Sequence, residues 1–324
     1  MTGTRFSYLG PEGTFSEEAL RTLPEAGDGV LLPARTVPEA LDAVRTGEAD
    51  AALVPLESSV GGAVPVTMDD LAAGRPLQIV REVVLPIRFV FAAPAGTALA
   101  DIGSVAAHPQ ASAQCRDWLR RTVPDASVVD VLSNATAAVL TAKGEYDAAL
   151  STPLAARRNG LALLVEGVAD HPDAMTRFAV VTRPAPPPEP TGNDVTTIAV
   201  YIAHDQVGAL LAVLTELAVR GVNLTRIESR PTGERLGRYC FFLDCTGHVV
   251  DARMGEALAG LRRICADVKY FGSYPRAGVA SSGDPTGPVP AGAEPPVPPP
   301  AGMSDRDFAD AAAWLARVRV GDQG

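Results

Sequence analysis

The segment TVPEALDAVRTGEADAAL at residues 36–53 aligns without gaps with SNATAAVLTAKGEYDAAL at residues 133–150, and seven of the 18 positions are identical. In each segment a polar residue precedes a helical pattern, Gly47 or Gly144 follows it, and Asp-Ala-Ala-Leu then forms an apolar strand. This internal sequence similarity predicts two similar α/β lobes. A chance match, or a supersecondary pattern shared by unrelated segments, is the alternative.

The rest of residues 1–183 fits the two-lobed prediction. Short apolar strands alternate with helical patterns, which is typical of α/β layers with parallel strands. Two such lobes facing each other form a cleft, and ligands of these sheets bind at the carboxyl ends of the strands. We therefore expect site residues in the loops that follow strands.

Two proline-rich stretches, residues 184–192 and 276–303, read as extended linkers. Residues 193–275 between them predict the ferredoxin-like order of strand, helix, strand, strand, helix, strand. The helices follow Gly208 and Asp251, and the predicted strands are 195–203, 222–229, 238–245 and 267–271.

After the second linker, residues 304–324 predict a terminal helix. Ser304 and Asp307 resemble a capping box. An apolar stripe predicts that the helix docks on the body of the protein, and the stripe contains Phe308, Ala311, Ala312, Leu315 and Val318.

Composition narrows the possible partners. The 324 residues carry 28 Lys and Arg against 38 Asp and Glu, a formal charge of −10, which argues against nucleic acid and anionic membranes as partners. No apolar run is long enough to span a bilayer and no signal peptide precedes the first strand, so we expect a cytoplasmic protein.

No cofactor or metal is expected. Cys115, Cys240, Cys245 and Cys265 lack CxxC spacing and are predicted to be reduced core thiols. Dinucleotide fingerprints and P-loops are missing from the sequence. Chemistry would then rely on side chains and backbone dipoles.

Two loops carry candidate binding groups in the first half of the chain. GPEGTFS at 10–16 is either an anion-binding turn with free N–H groups or simply a capped turn. VPLESSVGGAV at 54–64 offers Glu57, Ser58 and Ser59 where a loop leaves the sheet, although Ser58 or Ser59 could also be a helix N-cap.

Two further segments are candidates. In HPQAS at 108–112, Ser112 is a candidate cap for the helix that contains Trp118, and His108 reads as a loop histidine. In MTRFAVV at 175–181, Arg177 enters an apolar strand, which favours either a carboxylate clamp or a surface position at the strand end.

The ordered set YLGPEGTFS, VPLESSVGGAV, HPQ, MTRF and GALLAVLTELAVRGVNLTRIESRP resembles prephenate dehydratases with a C-terminal ACT domain. The SNATAA and WLARVR segments are similar to the actinobacterial branch. The resemblance implies a two-lobed catalytic region like that of periplasmic binding proteins. It also implies cofactor-free conversion of prephenate to phenylpyruvate, with loss of water and carbon dioxide, in phenylalanine biosynthesis. Regulation by L-phenylalanine and homodimers or homotetramers joined through ACT domains are implied as well.

The same resemblance implies the site residues. The catalytic set is Thr176, Arg177, Phe178, Glu57, Ser58 and Ser59, and the substrate-binding set is Gly10, Thr14, Gly61, Gly62, His108 and Gln110. Two departures weaken the transfer of roles. Ser58 stands where the family usually has Asn, and Asn134 with Ala135 stands where Ser-Thr is common.

Each catalytic group has an expected role. Arg177 and the N–H groups of the Gly-rich loops would bind the substrate carboxylates, and Thr176 would assist the departing 4-hydroxyl. Glu57, if buried, would be an alternative proton source. Phe178 would line a dry pocket around the ring that becomes aromatic.

In the ACT-like segment the resemblance implies an amino-acid pocket formed by Gly208, Ala209, Leu210, Asn223, Glu228, Ser229, Arg230 and Pro231. Helix N–H groups suit the carboxylate of an amino acid, while Asn223 or Glu228 would meet its ammonium. The alternative is that Gly208 and Pro231 only shape turns.

Two other functions compete with prephenate dehydration. Arogenate dehydratase differs only in a substrate that has an amino group in place of the keto group. A non-catalytic metabolite sensor would use the lobes for binding alone. A turnover assay on both substrates discriminates the three.

Overall fold

The computed structural model describes residues 3–202, 207–232, 239–277 and 299–320. Within these ranges the chain forms two compact units. One unit contains the two predicted lobes apart from residues 71–82. The other contains the predicted ferredoxin-like domain, the segment Leu71–Glu82 and the C-terminal helix.

The first lobe is a mixed sheet with three helices. Its strands are β1 (Arg5–Leu9), β2 (Val30–Ala34), β3 (Ala51–Ser58), the short β4 (Gly62–Ala63), β5 (Gln78–Pro86) and β11 (Met175–Thr182). Its helices are α1 (Phe15–Leu20), α2 (Val37–Thr46) and α3 (Pro65–Ala73). The strand order is β2-β1-β3-β11-β5, and β4 pairs with β3.

The second lobe repeats this arrangement. Its strands are β6 (Val90–Ala93), β7 (Ser104–Ala107), β8 (Ser127–Asp130), β9 (Ala148–Ser151) and β10 (Ala162–Glu166). Its helices are α4 (Pro109–Gln114), α5 (Arg116–Thr122), α6 (Asn134–Ala142) and α7 (Pro153–Arg158). The order β8-β7-β9-β6-β10 corresponds strand by strand to β2-β1-β3-β11-β5 in the first lobe.

The repeated segment explains why the lobes match. The Thr36 side chain accepts a hydrogen bond from Glu39 N–H at the start of α2, and Ser133 accepts one from Thr136 N–H at the start of α6. Gly47 ends α2 with a φ of 84°, a left-handed conformation that glycine adopts without a steric penalty. The prediction of two similar lobes is confirmed.

The predicted parallel sheets are in fact mixed. β1 runs parallel to β2 and β3, but β11 runs antiparallel to β3, and β6 runs antiparallel to β9. The reason is the path of the chain. It leaves the first lobe after β5 and returns as β11, whose first residues pair with the carboxyl end of β3.

The second unit contains the predicted ferredoxin-like domain. Its strands are β12 (Asp194–Tyr201), β13 (Leu224–Pro231), β14 (Tyr239–Thr246) and β15 (Asp267–Pro275), and its helices are α8 (Ala209–Ala218) and α9 (Ala252–Ile264). The strands form an antiparallel sheet in the order β13-β14-β12-β15. One core joins sheet and helices and includes Ile198, Val213, Leu217, Leu243 and Leu261. The predicted fold class is confirmed for both units.

Most of the second proline-rich stretch, residues 278–298, lies outside the described residues. Met303, at the end of this stretch, lies close to Gly221 in the turn after α8. Its Cβ atom is 2.8 Å from the position that a Cβ atom added to Gly221 would occupy. The capping box of Ser304 and Asp307 forms at the start of α10 (Asp305–Arg319). Asp305 pairs with Arg253 of α9 at 3.2 Å.

The predicted apolar docking stripe of α10 was mostly wrong. Ala311, Ala312 and Leu315 are exposed, and only Phe308 and Val318 are half-buried. The helix therefore contacts α9 at one end through Asp305 and has no continuous apolar seam along its described length. No helix in the described ranges is long and apolar enough to cross a bilayer.

Candidate active site

The candidate site begins where β3 ends and β11 starts. Pairing between these strands places Arg177 opposite Glu57 and Thr176 opposite Ser58. Arg177 Nη2 lies 3.2 Å from Glu57 Oε2. Because paired residues of neighbouring strands project from the same face, the two pairs lie on opposite faces at the end of the sheet. Two motifs that are far apart in sequence thus meet.

A register shift follows at once. The pairing skips Leu56, so Phe178 lies opposite Pro55. Extra residues of this kind bend a strand and re-aim the side chains beside them, and they are frequent next to active sites. The shift separates the last two pairs, Thr176 with Ser58 and Arg177 with Glu57, from the rest of the ladder, and Phe178 is buried.

The side chains of Arg177 and Glu57 differ in how deeply they are buried. The Arg177 side chain is 17 % exposed, whereas that of Glu57 is 43 % exposed. Glu57 therefore does not meet the condition of burial under which it was an alternative proton source. Since Glu57 also accepts from a guanidinium, it is better suited to hold Arg177 in place than to store a proton.

The Ser58 and Ser59 hydroxyls shape a hairpin, so the alternative of a helix N-cap was wrong. Ser58 Oγ accepts from Gly61 N–H at 3.2 Å, while Gly62 pairs with Ser58 across the turn. Ser59 Oγ accepts from Met175 N–H at 2.9 Å, which fixes the start of β11. The helix that follows begins only at Pro65.

The loop after β1 is internally bonded. Gly10 N–H donates to Ala34 O at 2.8 Å, Gly13 N–H donates to Glu17 Oε2 at 2.6 Å, and the Thr14 hydroxyl donates to Leu9 O at 3.0 Å. The N–H groups of Gly10, Gly13 and Gly61 therefore all donate to acceptors within the protein.

This loop also contacts the second lobe. The Thr152 hydroxyl donates to Gly13 O at 2.6 Å and accepts from Ala155 N–H at 3.0 Å. Arg158 donates to both carboxylate oxygens of Glu17, at 2.7 and 2.6 Å. Sequence reasoning missed Glu17, Thr152 and Arg158. The repeated segment offered a signal for Thr152, because Thr152 lies two residues after Asp-Ala-Ala-Leu, at the position that Pro55 has in the first lobe.

Electrostatics around Glu17 favour its charged form. Burial acts to raise the pKa of Glu17, but hydrogen bonds from Arg158, Gly13 N–H and Arg21 outweigh burial and hold that pKa below its ordinary value. The neighbouring Tyr8 hydroxyl has a raised pKa because it is buried and lies near this carboxylate. The loop is thus anchored to a charge pair between the lobes.

The corresponding loop of the second lobe contains His108 and Gln110. His108 is the N-cap of α4, and its Nδ1 accepts from Gln110 N–H at 3.3 Å. The prediction that Ser112 caps the helix containing Trp118 was wrong, because the Asp170 carboxylate accepts from Trp118 N–H at 3.1 Å. Asn134 begins α6, and its main-chain oxygen accepts from the Ser151 hydroxyl at 2.7 Å.

The predicted effector residues lie in the second unit. Gly208 has a φ of 85° and immediately precedes α8 (Ala209, Leu210 and onward). Asn223 accepts from Thr246 N–H through its main-chain oxygen at 2.8 Å, which leaves its side chain out of that bond. The residues of the ESRP motif, Glu228, Ser229, Arg230 and Pro231, end the edge strand β13.

Glu228 is not a free carboxylate. Arg226 donates to Glu228 Oε2 at 2.9 Å and to the buried Asp244 at 2.9 Å. An ammonium that reached Glu228 would share it with this guanidinium. Sequence reasoning missed Arg226 and Asp244, whose pairing depends on a register shift between β13 and β14.

The chain thus combines two mixed α/β lobes, joined by polar contacts at the loops that follow their strands, with a ferredoxin-like domain, and this is the architecture of its class. Residues 6–186 match the prephenate dehydratase family, and residues 196–263 match the ACT domain. The chain belongs to the prephenate dehydratase family, whose members are hydro-lyases, and it carries an ACT domain. The predicted resemblance is confirmed.

Relatives of similar length support this assignment. The chain is 47 % identical over 322 residues to the prephenate dehydratase of Amycolatopsis methanolica, covering 99 % of each. It is 46 % identical over 325 residues to that of Mycobacterium tuberculosis strain H37Rv, covering 98 % of this chain and 94 % of the relative. The crystal structure of prephenate dehydratase from Arthrobacter aurescens in complex with L-Phe matches with a TM-score of 0.87 and 43 % identity, covering 97 % of this chain and 99 % of that one.

Proposed function

We propose that this chain dehydrates and decarboxylates prephenate at the junction of β3 and β11, and that phenylalanine regulates it through residues 193–275. The observation that supports the first part is the pairing of Arg177 with Glu57 and of Thr176 with Ser58. These four residues come from two of the segments whose ordered set resembles the family.

Arg177 is our candidate for holding a substrate carboxylate. Its guanidinium is mostly buried, so its hydrogen bonds to an anion are stronger than they would be in water. Glu57 accepts from Nη2 of this guanidinium, and the planar fork of an arginine matches the geometry of a carboxylate. Prephenate has two carboxylates, of which one must leave as carbon dioxide.

Thr176 is our candidate for assisting the departing hydroxyl. As carbon dioxide leaves, the electrons of the broken C–C bond move through the ring and expel the 4-hydroxyl. That hydroxyl leaves as water only if one proton is supplied. A threonine hydroxyl is a weak acid, so hydrogen-bond assistance worth about 10² to 10⁴ in rate is the role we assign. Phe178, buried just behind the site, would keep its wall apolar.

The assignment is tested by steady-state kinetics of the purified full chain on prephenate and on arogenate. We expect phenylpyruvate from prephenate and a much lower kcat/KM for arogenate. A clearly higher kcat/KM for arogenate would identify arogenate, and not prephenate, as the substrate. Tight binding of prephenate without turnover would instead favour the sensor function.

For the effector, the Arthrobacter aurescens relative was crystallised with L-Phe. We place the phenylalanine site of this chain around Gly208, Ala209, Leu210 and Asn223 and along Glu228, Ser229, Arg230 and Pro231. The start of a helix such as α8, where the first N–H groups lack intrahelical acceptors, suits the carboxylate of an amino acid. We also propose that the protein acts in the cytoplasm as a homodimer or homotetramer joined through its ACT domains.

Substitution of Asn223 by Ala tests the effector site. We expect the kinetic response to phenylalanine to be lost while basal turnover stays within about twofold, since coupled sites of this kind typically exchange 1 to 3 kcal/mol. Asn193→Ala, at an exposed turn of the same unit, is the control. A normal phenylalanine response of Asn223→Ala would remove Asn223 from the site.

A further inference from the structure

Both backbone groups of Gly13 are held by side chains. Its N–H donates to Glu17 Oε2 at 2.6 Å, and its carbonyl accepts from the Thr152 hydroxyl at 2.6 Å. Thr152 belongs to the second lobe and is fully buried. One loop of the first lobe is therefore fixed by a hydroxyl of the second.

A second, charged contact reinforces the first. Arg158 at the end of α7 donates to both oxygens of Glu17, whose side chain is only 2 % exposed. Arg21 adds a third bond to the same carboxylate at 2.7 Å. A buried carboxylate with this many donors keeps its charge and its position, because moving it would leave guanidinium groups unpaired.

Gly13 packs closely against α7 of the second lobe. Its φ of 87° is left-handed, and a Cβ atom added there would lie 2.9 Å from Ala155 Cβ of α7. The loop therefore follows the position of α7 closely. β1 and β3 are parallel neighbours, so residues 10–14 lie at the same edge of the sheet as the Glu57 end of β3.

We propose that Thr152, together with the Arg158–Glu17 pair, positions residues 10–14 as one wall of the dehydratase site. Thr152 and Arg158 are positioning residues that act through the loop. This inference rests on the proposed function, because the loop matters for catalysis only if prephenate reacts beside it. It assigns to the second lobe a function in setting the geometry of the first.

The chain provides a matched control for the hydroxyl. Thr36 is the N-cap of α2 and accepts from Glu39 N–H, just as Thr152 accepts from Ala155 N–H at the start of α7. Thr36→Val removes a cap only. Thr152→Val removes a cap and also the donor to Gly13 O, while Thr152→Ser keeps both bonds.

We expect Thr152→Val to lower kcat/KM for prephenate by about tenfold or more, since displacement of a reacting group by about 1 Å costs up to 10²-fold. The loss should fall mainly on kcat. Thr36→Val and Thr152→Ser should both stay within about twofold of the parent enzyme. Equal kinetics for Thr152→Val and Thr36→Val, or failure of Thr152→Ser to retain activity, would overturn the proposal.

A second pair of variants covers the case in which Thr152→Val does not fold. Arg158→Gln removes the charged contact between the lobes but leaves Glu17 bonded to Arg21 and to Gly13 N–H. Arg5→Gln removes a comparable bidentate pair, with Asp50, inside the first lobe. We expect a lower kcat only for Arg158→Gln. Equal kcat values for the two variants would overturn the proposal.

Hydrogen exchange gives a readout that does not depend on turnover. Amides of residues 12–16 should exchange faster in Thr152→Val and in Arg158→Gln than in their matched controls. Unchanged exchange would overturn the positioning role even in an active enzyme. If the parent enzyme formed no phenylpyruvate, the proposed function would fail, and the exchange measurement would still decide whether the second lobe positions the loop.

Discussion

The two lobes share one strand order but use the same loop in different ways. After β3 the chain forms a hairpin that presents Glu57 and Ser58 beside Arg177. After β9 it turns directly into α7, and Thr152 bonds the loop of the other lobe. The shared strand order therefore fixes where the loops leave the sheets. A few side chains determine whether a loop contributes to the proposed site or supports the loop of the other lobe.

The largest expected effect is on the chemistry assigned to the first lobe. Thr176→Ala should lower kcat for prephenate by about 10² or more with the fold intact, because the hydrogen bond to the departing hydroxyl is lost. Thr182→Ala, at the far end of the same strand, is the control and should keep kcat within about twofold. Steady-state kinetics with thermal melts of both variants make the test. Near-normal turnover of Thr176→Ala would rule out the assignment.

A smaller effect is expected from Arg177→Lys. Lysine keeps the charge but cannot form the planar fork, so Glu57 and a substrate carboxylate would compete for one ammonium. We expect KM for prephenate to rise by about tenfold, equivalent to ~1.4 kcal/mol of binding. Arg183→Lys, on the segment after β11, is the control. An unchanged KM would mean that Arg177 only supports Glu57.

Acid should weaken the contact between the lobes. The folded-state pKa of Glu17 is lowered from 4.5, so its stabilising effect is present above the ordinary value and is lost as pH falls through the folded value. The melting temperature of the parent should exceed that of Glu17→Gln at neutral pH, and the gap should close below about pH 4.5. A gap that widened in acid would contradict the assigned charge state.

The smallest effects should be equal in the two lobes. Thr36→Ala and Ser133→Ala each remove the N-cap of an equivalent helix, which costs about 1 kcal/mol of unfolding free energy. Denaturant unfolding of both variants measures this cost. Clearly unequal losses would show that the lobes share a strand order without sharing its energetics.

The lobes could be predicted because their signal is local. A cap, an amphipathic helix, a glycine and a strand follow one another within 18 residues, twice. The ferredoxin-like order was readable for the same reason. By contrast, the mixed direction of each sheet depends on a crossing between lobes, which no window of sequence contains.

The site was only partly predictable. The family motifs supplied Thr176, Arg177 and Glu57, yet their pairing depends on the register shift at Leu56. The Arg158–Glu17 pair joins residues 141 positions apart, and Asp170 caps a helix from 52 positions away. Such contacts depend on tertiary structure, and local propensity does not encode them.

A double-mutant cycle shows whether Thr152 of the second lobe positions the groups with which the first lobe acts on prephenate. Kcat for prephenate would be measured for the parent, Thr176→Ala, Thr152→Val and the double variant. If Thr152 acts by positioning, its replacement should cost much less once the Thr176 hydroxyl is gone, a coupling of about 0.5 to 3 kcal/mol. If the two losses of activation free energy simply add, Thr152 and Thr176 act independently, and Thr152 does not position the site.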